Sequence, residues 1–363
     1  MRPVNGLSPH SRRPAERQLR SILASLPHKE SFLHACRYVD DWGALVSSAQ
    51  AHGVDGVLVA GARNAGLVPQ HPAWDVATRR MRRSTIWRDV LHKTLHDVLA
   101  SLDAHGIAVV TLKGPVLATR LYDDEVVRPS TDLDLLVEPS SLEQAAVALK
   151  PLGYALEGGE IGRFFRNHHH HVHFTHRTLP TLELHFDAYR GFGTSLAAAP
   201  LLARSTSCAA PVWSKARVLA PEDEFLYLAV HAASHRFERL VWLYDLKLLA
   251  LRQPDLRWDL IAERARTNHL SAVVSFACTL LSEELGAPRY ADRFLRPLGE
   301  ARRLAARHLV LPQSSRLVNG AAHFAFCTLL CDDGTSATTF LSHYLRVKLL
   351  HEGPRRLRSG IMS

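Results

Sequence analysis

The chain has 363 residues, of which 47% are hydrophobic; this is long and apolar enough for two or three domains with real cores, and it excludes a disordered protein. Its net charge of +9 is concentrated at the ends: residues 1–20 hold five Arg and one Glu (+4), residues 351–363 hold three Arg and one Glu (+2), and only +3 is left for the body. Charge at the ends is typical of solvated tails, so we expect no nucleic acid bound to the folded part.

The cysteines and the apolar runs indicate the compartment. The cysteines are odd in number and are scattered through segments with an apolar helical pattern. This predicts buried thiols rather than a disulfide framework. These cysteines are Cys36, Cys208, Cys278, Cys327 and Cys331. The longest apolar run, from about residue 270 to 281, is too short for a bilayer, which takes about 20 residues, and the polar, Arg-rich start is unlike a signal peptide. We therefore predict a cytoplasmic protein without a membrane segment.

The first part of the chain is predicted to be helical. Residues 1–14 contain three prolines and one glycine and show no periodicity, which predicts a disordered tail. Over residues 15–105 apolar side chains recur at helical spacing, so this stretch is interpreted as an N-terminal helical region. Its last segment, residues 74–104, is expected to pack on a sheet and to lead directly into the first strand.

A strand, a tight turn and a helix follow. Residues 107–112 form a short apolar run that ends at Lys113-Gly114, as a buried strand does before a turn. Pro115 suits the first position of a helix. Because backbone N–H groups at a helix start beside a glycine form an anion site, this turn predicts phosphate binding.

The next strand carries two carboxylates on one face. In residues 132–137, Asp132 and Asp134 alternate with leucines, so both aspartates point to the same side of the sheet. Like charges this close are unfavourable without a cation. Beside a phosphate-sized anion site, the pair indicates Mg²⁺ or Mn²⁺, since a hard ion takes one or two carboxylates together with the phosphates of a nucleotide.

A later hairpin supplies a third carboxylate. In its returning strand, residues 181–187, the apolar side chains face the core, and Glu183, His185 and Asp187 face the other side. A third carboxylate is needed to deprotonate or orient an attacking hydroxyl. Glu183 is predicted for this role because leucines flank it in mid-strand, whereas Asp187 lies at the strand end and is expected to cap it or to pair with Arg190.

The first strand of this hairpin begins in a run of histidines. Strand alternation divides the imidazoles between two faces, with His169, His171 and His173 on one and His168 and His170 on the other. Three imidazoles on one face are able to bind Zn²⁺. An exposed strand without metal is the alternative, and the sequence leaves both open.

The rest of the chain is predicted to be mainly helical. Residues 191–220 are irregular and are interpreted as a linker between two domains. Apolar side chains at helical intervals then predict a C-terminal helical domain over residues 221–352, which is followed by a basic tail at residues 353–363.

The stretch from residue 112 to 137 resembles a known family. Its matching residues are Lys113, Gly114, Arg128, Asp132 and Asp134. They resemble the nucleotidyltransferases of the DNA polymerase β superfamily, and specifically a bacterial branch of largely uncharacterised members in which a Leu-Lys-Gly turn replaces the superfamily's Gly-Ser turn. The likeness runs from about residue 92 to 251 and includes a later Leu-Glu-Leu-His strand. Pro115 departs from the pattern, because the wider superfamily places a phosphate-contacting Ser there.

The resemblance implies a fold and a reaction. The fold is α+β, with a small mixed-sheet nucleotidyltransferase-like core at residues 106–190, flanked by N-terminal helices and a C-terminal helical bundle. The reaction is metal-dependent transfer of a nucleotidyl group from an NTP such as ATP to a hydroxyl or phosphate of an acceptor, which is a small metabolite, a peptide or a protein. Transfer of phosphate or pyrophosphate at the same site, and a non-catalytic nucleotide sensor or partner-binding protein, are the alternatives.

The resemblance also implies roles for individual residues. The implied contacts to the nucleotide phosphates are Lys113, Gly114 and Arg128. The implied metal ligands and catalytic carboxylates are Asp132, Asp134 and Glu183. A histidine-containing helix lies beside the active site in this family, so the candidates for the acceptor side are His185, His231, His235 and Asp245. Because His231 and His235 lie one helical turn apart, chelation and structural hydrogen bonding remain alternatives for them.

Overall fold

The computed structural model describes residues 9–158, 169–310 and 316–347. Its strands form two sheets, a mixed sheet of seven strands and a separate sheet of two. The strands are β1 (Val109–Thr111), β2 (Asp132–Val137), β3 (Ala155–Leu156), β4 (His171–Thr175), β5 (Thr181–His185), β6 (Asp187–Gly191), β7 (Thr194–Ala197), β8 (Thr206–Ser207) and β9 (Arg217–Val218). The large sheet has the order β3-β4-β5-β2-β1-β9-β8, and the small sheet pairs β6 with β7.

Helices pack on both faces of the large sheet. They are α1 (Pro9–Ser25), α2 (Lys29–Cys36), α3 (Trp42–Ala51), α4 (Asp55–Ala65), α5 (Pro72–Ala104), α6 (Pro115–Leu121), α7 (Leu142–Leu149), α8 (Ala198–Arg204), α9 (Pro221–Ser234), α10 (Leu240–Arg252), α11 (Trp258–Thr267), α12 (Ser271–Leu285), α13 (Glu300–Val310), α14 (Arg316–Leu329) and α15 (Gly334–Val347). A mixed sheet with helices before and after it confirms the predicted α+β class.

Strand β2 is the middle strand of the large sheet and positions the site. It runs antiparallel to β1, with Thr111 opposite Leu135, and parallel to β5, with Asp134 opposite Glu183. Its bounds, Asp132–Val137, are the predicted ones: acidic and apolar residues alternate at its start, and the strand ends with two apolar residues. The third carboxylate is therefore brought next to the aspartate pair by strand register alone.

Alternation along β2 divides its side chains between two apolar cores. Leu133 and Leu135 belong to the core beneath α5 and α7. Leu136 belongs to the other core, in which the N-terminal helices α1 to α4 and the C-terminal helices α9, α10 and α12 pack together. Asp132 and Asp134 share the face of Leu136, so they point toward the side of the sheet where the C-terminal helices lie.

The N-terminal and C-terminal helices are joined by polar contacts as well as by a shared core. Lys247 of α10 is buried, and its Nζ donates to the carbonyls of Leu23 and Ala24 at the end of α1, at 2.8 and 2.9 Å. These carbonyls lack partners within their own helix, and a lysine there also favours the negative end of the helix dipole. Helices α1 and α10 are thus held together across more than 220 residues of sequence.

The turn before α6 has the predicted form. Gly114 has φ +74° and ψ −144°, a backbone conformation that side chains with a Cβ rarely adopt. Pro115 occupies the first turn of α6, where its fixed φ suits the helix and its missing N–H costs nothing. A Cβ at position 114 would lie 3.6 Å from the Asp132 carbonyl, so backbone conformation rather than lack of space requires the glycine.

The stretch interpreted as a linker, residues 191–220, contributes to both sheets. Strand β9 lies parallel to β1, with Thr111 opposite Val218, and β8 pairs with β9 at the sheet edge. The hydroxyl of Thr111 also donates to the Arg217 carbonyl at 3.1 Å. Strands of two residues are too short to produce an alternating pattern, so β8 and β9 were not predicted.

The returning strand of the hairpin is shorter than predicted. Strand β5 ends at His185, and Asp187 begins β6, which pairs with β7 instead of continuing the large sheet. The N–H groups of Phe186 and Asp187 both donate to the His170 carbonyl, at 2.9 and 3.3 Å, so the ladder with β4 ends at this point. Asp187 is therefore placed on a different sheet from Glu183.

The predicted tails are described only in part. Helix α1 begins at Pro9, inside the predicted disordered segment 1–14, while residues 1–8 lie outside the described ranges. The basic tail at 353–363 also lies outside them. All of the cysteines are buried free thiols, as predicted. In the described ranges no helix combines the length and apolarity needed to cross a membrane.

Candidate functional site

Asp134 is the most deeply buried acidic group of the site. Its side chain is 0% exposed, and its Oδ1 lies 3.1 Å from Lys113 Nζ and 3.3 Å from His185 Nε2. Burial alone would raise the pKa of this carboxyl, but Lys113 and His185 hold it well below its usual range, so Asp134 is ionised. Its second oxygen, Oδ2, is buried and has no hydrogen-bond partner among the described residues. A buried carboxylate oxygen without a partner is costly and is suited to a cation.

Lys113 is charged despite its burial. Desolvation by burial lowers the pKa of this lysine, but Asp134, Asp132 and Glu183 raise it above its ordinary value. The side chain is 14% exposed and lines a cavity on the face of the sheet that is covered by the C-terminal helices α9 and α10. The predicted Lys113-Gly114 turn therefore places a positive charge beside all three predicted carboxylates.

Asp132 and Glu183 complete the acidic group. Glu183 lies opposite Asp134 in the parallel β2–β5 pair, and Asp132 lies two residues away on the same face. Burial and the nearby Asp134 raise the pKa of Asp132, so its charge is unfavourable in the fold as it stands. Burial also raises the pKa of Glu183, but a hydrogen bond from His185 contributes to a net lowering.

Three side chains here have donor atoms close enough to hold one metal ion. They are Asp134, Glu183 and His185, whose potential ligand atoms all lie within 4.8 Å of one another. Two of the three predicted metal ligands are thus in this group, and His185, predicted for the acceptor side, takes the third place. Asp132 lies on the same strand face and lines the cavity in front of the group.

Arg128, predicted to contact phosphate, lines the same cavity as Lys113 and forms an ion pair within the fold. Its guanidinium is 6% exposed, and its Nε and Nη2 donate to the two oxygens of Asp245, each at 2.8 Å. Its Nη1 donates to Ser130 Oγ at 3.1 Å, and Tyr122 OH donates to Asp245 Oδ1 at 2.7 Å. The Arg128 guanidinium, which was expected to contact phosphate, thus donates two of its hydrogen bonds to Asp245. Asp245, predicted for the acceptor side, is likewise committed to Arg128 and is 1% exposed.

A cavity of about 560 Å³ lies in front of the carboxylates. Basic and histidine side chains predominate in its lining, and they are Lys113, Arg128, Arg190, Arg239, His170, His171, His185, His231, His235 and His323. Two carboxylates, Asp132 and Glu183, line it as well. The volume is within the range typical of small-molecule and cofactor sites. The four cationic side chains, Lys113, Arg128, Arg190 and Arg239, outnumber these two carboxylates, which fits an anionic ligand.

His231 and His235 lie at this cavity, as the resemblance implied. Their ring centroids are 5.0 Å apart, and the rings lie 5.5 and 4.9 Å from the ring of Trp242 on α10. Burial, followed by the charge of Lys113, lowers the pKa of His231 well below its usual value, so the ring is neutral. Neutral imidazoles beside an indole form a wall that is able both to stack and to hydrogen-bond.

Arg239 also lines the cavity, although it was not among the predicted site residues. Its Nε is buried and has no hydrogen-bond partner among the described residues, and its guanidinium carbon lies 5.8 Å from the centroid of the Trp242 ring. Burial and the charge of Arg128 both lower the pKa of this arginine, which shows that its charge is poorly compensated. No local pattern marks Arg239, because it reaches the cavity only when α10 packs across the sheet.

Asp187, the weaker candidate for the third carboxylate, forms the ion pair expected of it. Its Oδ2 accepts a hydrogen bond from Arg190 Nη2 at 2.7 Å. The histidine run is only partly described, since His168 lies outside the described residues. Of the face predicted to hold three imidazoles, His171 and His173 come together, and Glu183 rather than His169 is their third neighbour.

A family model described as "Uncharacterised nucleotidyltransferase" matches residues 39–286, well over half of the chain. The chain belongs to this family. The matched part of the chain contains every residue named above as lining the cavity except His323. No curated protein and no solved structure matches the chain. Membership of the family supports a transferase acting on nucleotides, and the Asp134, Glu183 and His185 group is a candidate metal site.

Proposed function

We propose that this protein transfers a nucleotidyl group from an NTP, such as ATP, to a hydroxyl or phosphate of an acceptor, with Mg²⁺ or Mn²⁺ as the metal. The observation that carries the proposal is that Asp132 and Glu183, with Asp134 buried between them, lie at a cavity of about 560 Å³ in which cationic side chains outnumber carboxylates. Carboxylates alone would repel a triphosphate, and basic side chains alone would not need three acids. The combination suits a metal–nucleotide complex.

The residues present fit a hard divalent ion. Asp134 Oδ2 is a buried carboxylate oxygen without a hydrogen-bond partner among the described residues, and Asp132 and Glu183 supply further oxygens on the same strand face. These three carboxylates are proposed to hold the ion. When bound, a divalent ion neutralises phosphate charge and helps to deprotonate the attacking hydroxyl.

The basic side chains are proposed to bind and orient the phosphates. Lys113, next to the carboxylates, is placed to neutralise charge on the phosphate nearest the metal site, and Gly114 allows the backbone to approach it. Arg239 supplies the second phosphate contact, in place of Arg128. Arg128 is instead a positioning residue, because its pair with Asp245 ties the loop before β2 to α10.

Glu183 is proposed to orient and deprotonate the acceptor hydroxyl. Its side chain is 21% exposed and lines the cavity, while that of Asp134 is 0% exposed. The histidines His185, His231 and His235 are proposed to bind the acceptor, which is a small metabolite, a peptide or a protein. We further propose that the family is a bacterial, cytoplasmic branch of the DNA polymerase β superfamily.

Labelled ATP tests the proposal. With Mg²⁺ and an extract of the expressing cells as the source of acceptors, label at the α-phosphate is expected to pass to an acceptor, while label at the γ-phosphate is released. Transfer of the γ-label instead would indicate phosphate transfer, and binding without transfer of either label would indicate a nucleotide sensor. Either outcome overturns nucleotidyl transfer.

Asp132→Asn should distinguish loss of metal binding from loss of fold stability. Because burial and Asp134 raise the pKa of Asp132, removing its charge relieves repulsion, so we expect unchanged or higher thermal stability and loss of metal-dependent ATP binding by calorimetry. Asp134 is unsuitable for this purpose, since its removal would leave Lys113 and His185 without their partner. Wild-type affinity for Mg·ATP in Asp132→Asn would contradict the metal assignment.

Arg239→Gln is expected to weaken Mg·ATP binding about 10–100-fold, the range for loss of a hydrogen bond to a charged group. The measurement is calorimetric titration with Mg·ATP. The matched control is Arg252→Gln; Arg239 immediately precedes α10, whereas Arg252 is its last residue, is 46% exposed and is paired with Asp123. Equal affinities in the two variants would remove Arg239 from the phosphate site.

A further inference from the structure

A compact group of nitrogen and oxygen donors lies beside the aspartate pair, on the hairpin of β4 and β5. The strands are antiparallel, with His171 opposite His185 and His173 opposite Glu183. Opposite residues in such a pair point to the same face, so these four side chains form two adjacent rungs on one surface. Three imidazoles and one carboxylate are therefore brought together by strand register.

The donor atoms of this group are close to one another. His171 Nε2 lies 3.1 Å from His173 Nε2, and the other ring nitrogen of His173, Nδ1, lies 3.7 Å from Glu183 Oε1, so His173 contacts its two neighbours through different nitrogens. One potential ligand atom from each of His171, His173 and Glu183 lies within 4.8 Å of the other two. Two nitrogens bound at about 2.0–2.1 Å to one tetrahedral zinc ion are separated by roughly 3.3 Å, close to the observed separation of the two imidazoles.

The group also has available lone pairs. His171 Nδ1 is buried and has no hydrogen-bond partner among the described residues. An imidazole with a ring nitrogen that lacks a partner is suited to binding a metal ion. His171 and Glu183 line the cavity, which leaves the open side of the group accessible.

We propose that His171, His173 and Glu183 bind a divalent transition metal of the zinc type, with an open coordination position toward the cavity. Two imidazoles and one carboxylate are a donor set of open zinc sites, whereas Mg²⁺ prefers oxygen donors alone. This site is distinct from the Asp132 and Asp134 carboxylates and shares only Glu183 with them. It forms without nucleotide, so it stands whether or not the protein transfers a nucleotidyl group.

Cobalt titration tests the site directly. The full-length protein, freed of metal with a chelator, is titrated with CoCl₂ in the absence of nucleotide, and the visible absorption of protein-bound Co²⁺ is recorded. We expect one Co²⁺ per chain, displaced by equimolar Zn²⁺ but not by millimolar Mg²⁺. Displacement by Mg²⁺ would show an oxygen-only site and would overturn the proposal.

Variants locate the ion. The double variant His171→Ala/His173→Ala is expected to weaken Co²⁺ binding at least about 100-fold, because loss of a supporting residue that is not even a ligand costs about 10–100-fold. His308→Ala, which removes an exposed imidazole from α13, is the control and should bind Co²⁺ like the wild type. Unchanged affinity in the double variant would overturn the assignment.

Two further variants keep the test decisive. If the double variant does not melt cooperatively, His173→Asn replaces it, because this side chain is 36% exposed and its loss disturbs little packing; a loss of about tenfold or more is then expected. Asp132→Asn should retain Co²⁺ binding. If Asp132→Asn loses Co²⁺ and His173→Asn keeps it, the ion belongs to the aspartates and the histidine site is wrong.

Discussion

Glu183→Gln is expected to retain Mg·ATP binding and to lose about 10²–10⁴-fold in turnover, the usual contribution of general-base catalysis. The substitution keeps the size of the side chain and its place opposite Asp134 in the β2–β5 pair, but an amide cannot accept a proton. A single-turnover assay with excess enzyme measures the chemical step without interference from product release. Turnover within threefold of the wild type would exclude Glu183 as the base.

Asp187→Asn is the matched control for Glu183→Gln. Asp187 is two residues beyond the end of β5, belongs to the small sheet and is paired with Arg190 at 2.7 Å. Its substitution is expected to change turnover less than threefold, although loss of the ion pair is expected to lower the melting temperature slightly. The reverse ranking of the two variants would assign the base to Asp187.

Asp245→Ala is expected to destabilise the protein by about 3–5 kcal/mol, the range for breaking a buried ion pair. It leaves the guanidinium of Arg128, 6% exposed, without its counter-ion and removes the acceptor of the Tyr122 hydroxyl. Urea unfolding, followed by circular dichroism, measures the change in the free energy of unfolding. A loss below about 1 kcal/mol would show that water reaches Arg128 and that the pair is not structural.

A second ion pair between the same two regions provides the control. Asp123 and Arg252 also connect the segment after α6 to α10, but their side chains are 81% and 46% exposed. Asp123→Ala is therefore expected to cost no more than about 1 kcal/mol. Replacing both buried partners, as Arg128→Met/Asp245→Leu, should recover much of the stability lost in Asp245→Ala, because no buried charge is left unpaired.

The central strands and the turn between them were predictable from local chemistry. The aspartate pair alternates with leucines over the first four residues of β2, and Gly114-Pro115 marks the turn into α6, so each element is specified by adjacent residues. The choice of Glu183 over Asp187 also followed from neighbouring residues, because the leucines on either side of Glu183 predicted that it lies in the middle of a strand. The structure adds that register sets Glu183 directly opposite Asp134.

Features that depend on distant partners were not predictable. Arg128 looked like a phosphate ligand because its counter-ion, Asp245, lies 117 residues later and on another element. Arg239 and Trp242 reach the cavity only through the packing of α10, and helical periodicity does not indicate which exposed turn faces a site. Strand β9 is two residues long, so the stretch containing it looked like a linker.

The contacts of the histidine run could be predicted only in part. Alternation correctly separated His171 and His173 from His170, yet it could not identify their neighbours across the hairpin. Those neighbours depend on register, which a turn sets at the far end of the hairpin. The resulting cluster includes Glu183 and His185, two residues that sequence analysis had assigned to other roles.

The pairing of β1 with β9 determines when this edge of the large sheet is closed during synthesis. Thr111 and its partner strand are about 106 residues apart, so a ribosome adding about 5–20 residues each second completes β9 roughly 5–20 s after β1. Until then, one side of β1 is an open row of backbone donors and acceptors that can recruit strands from other chains. Chains that stall, or are cut, between β5 and β9 therefore expose this unpaired edge of β1 beside strands β2, β4 and β5, which have already been made.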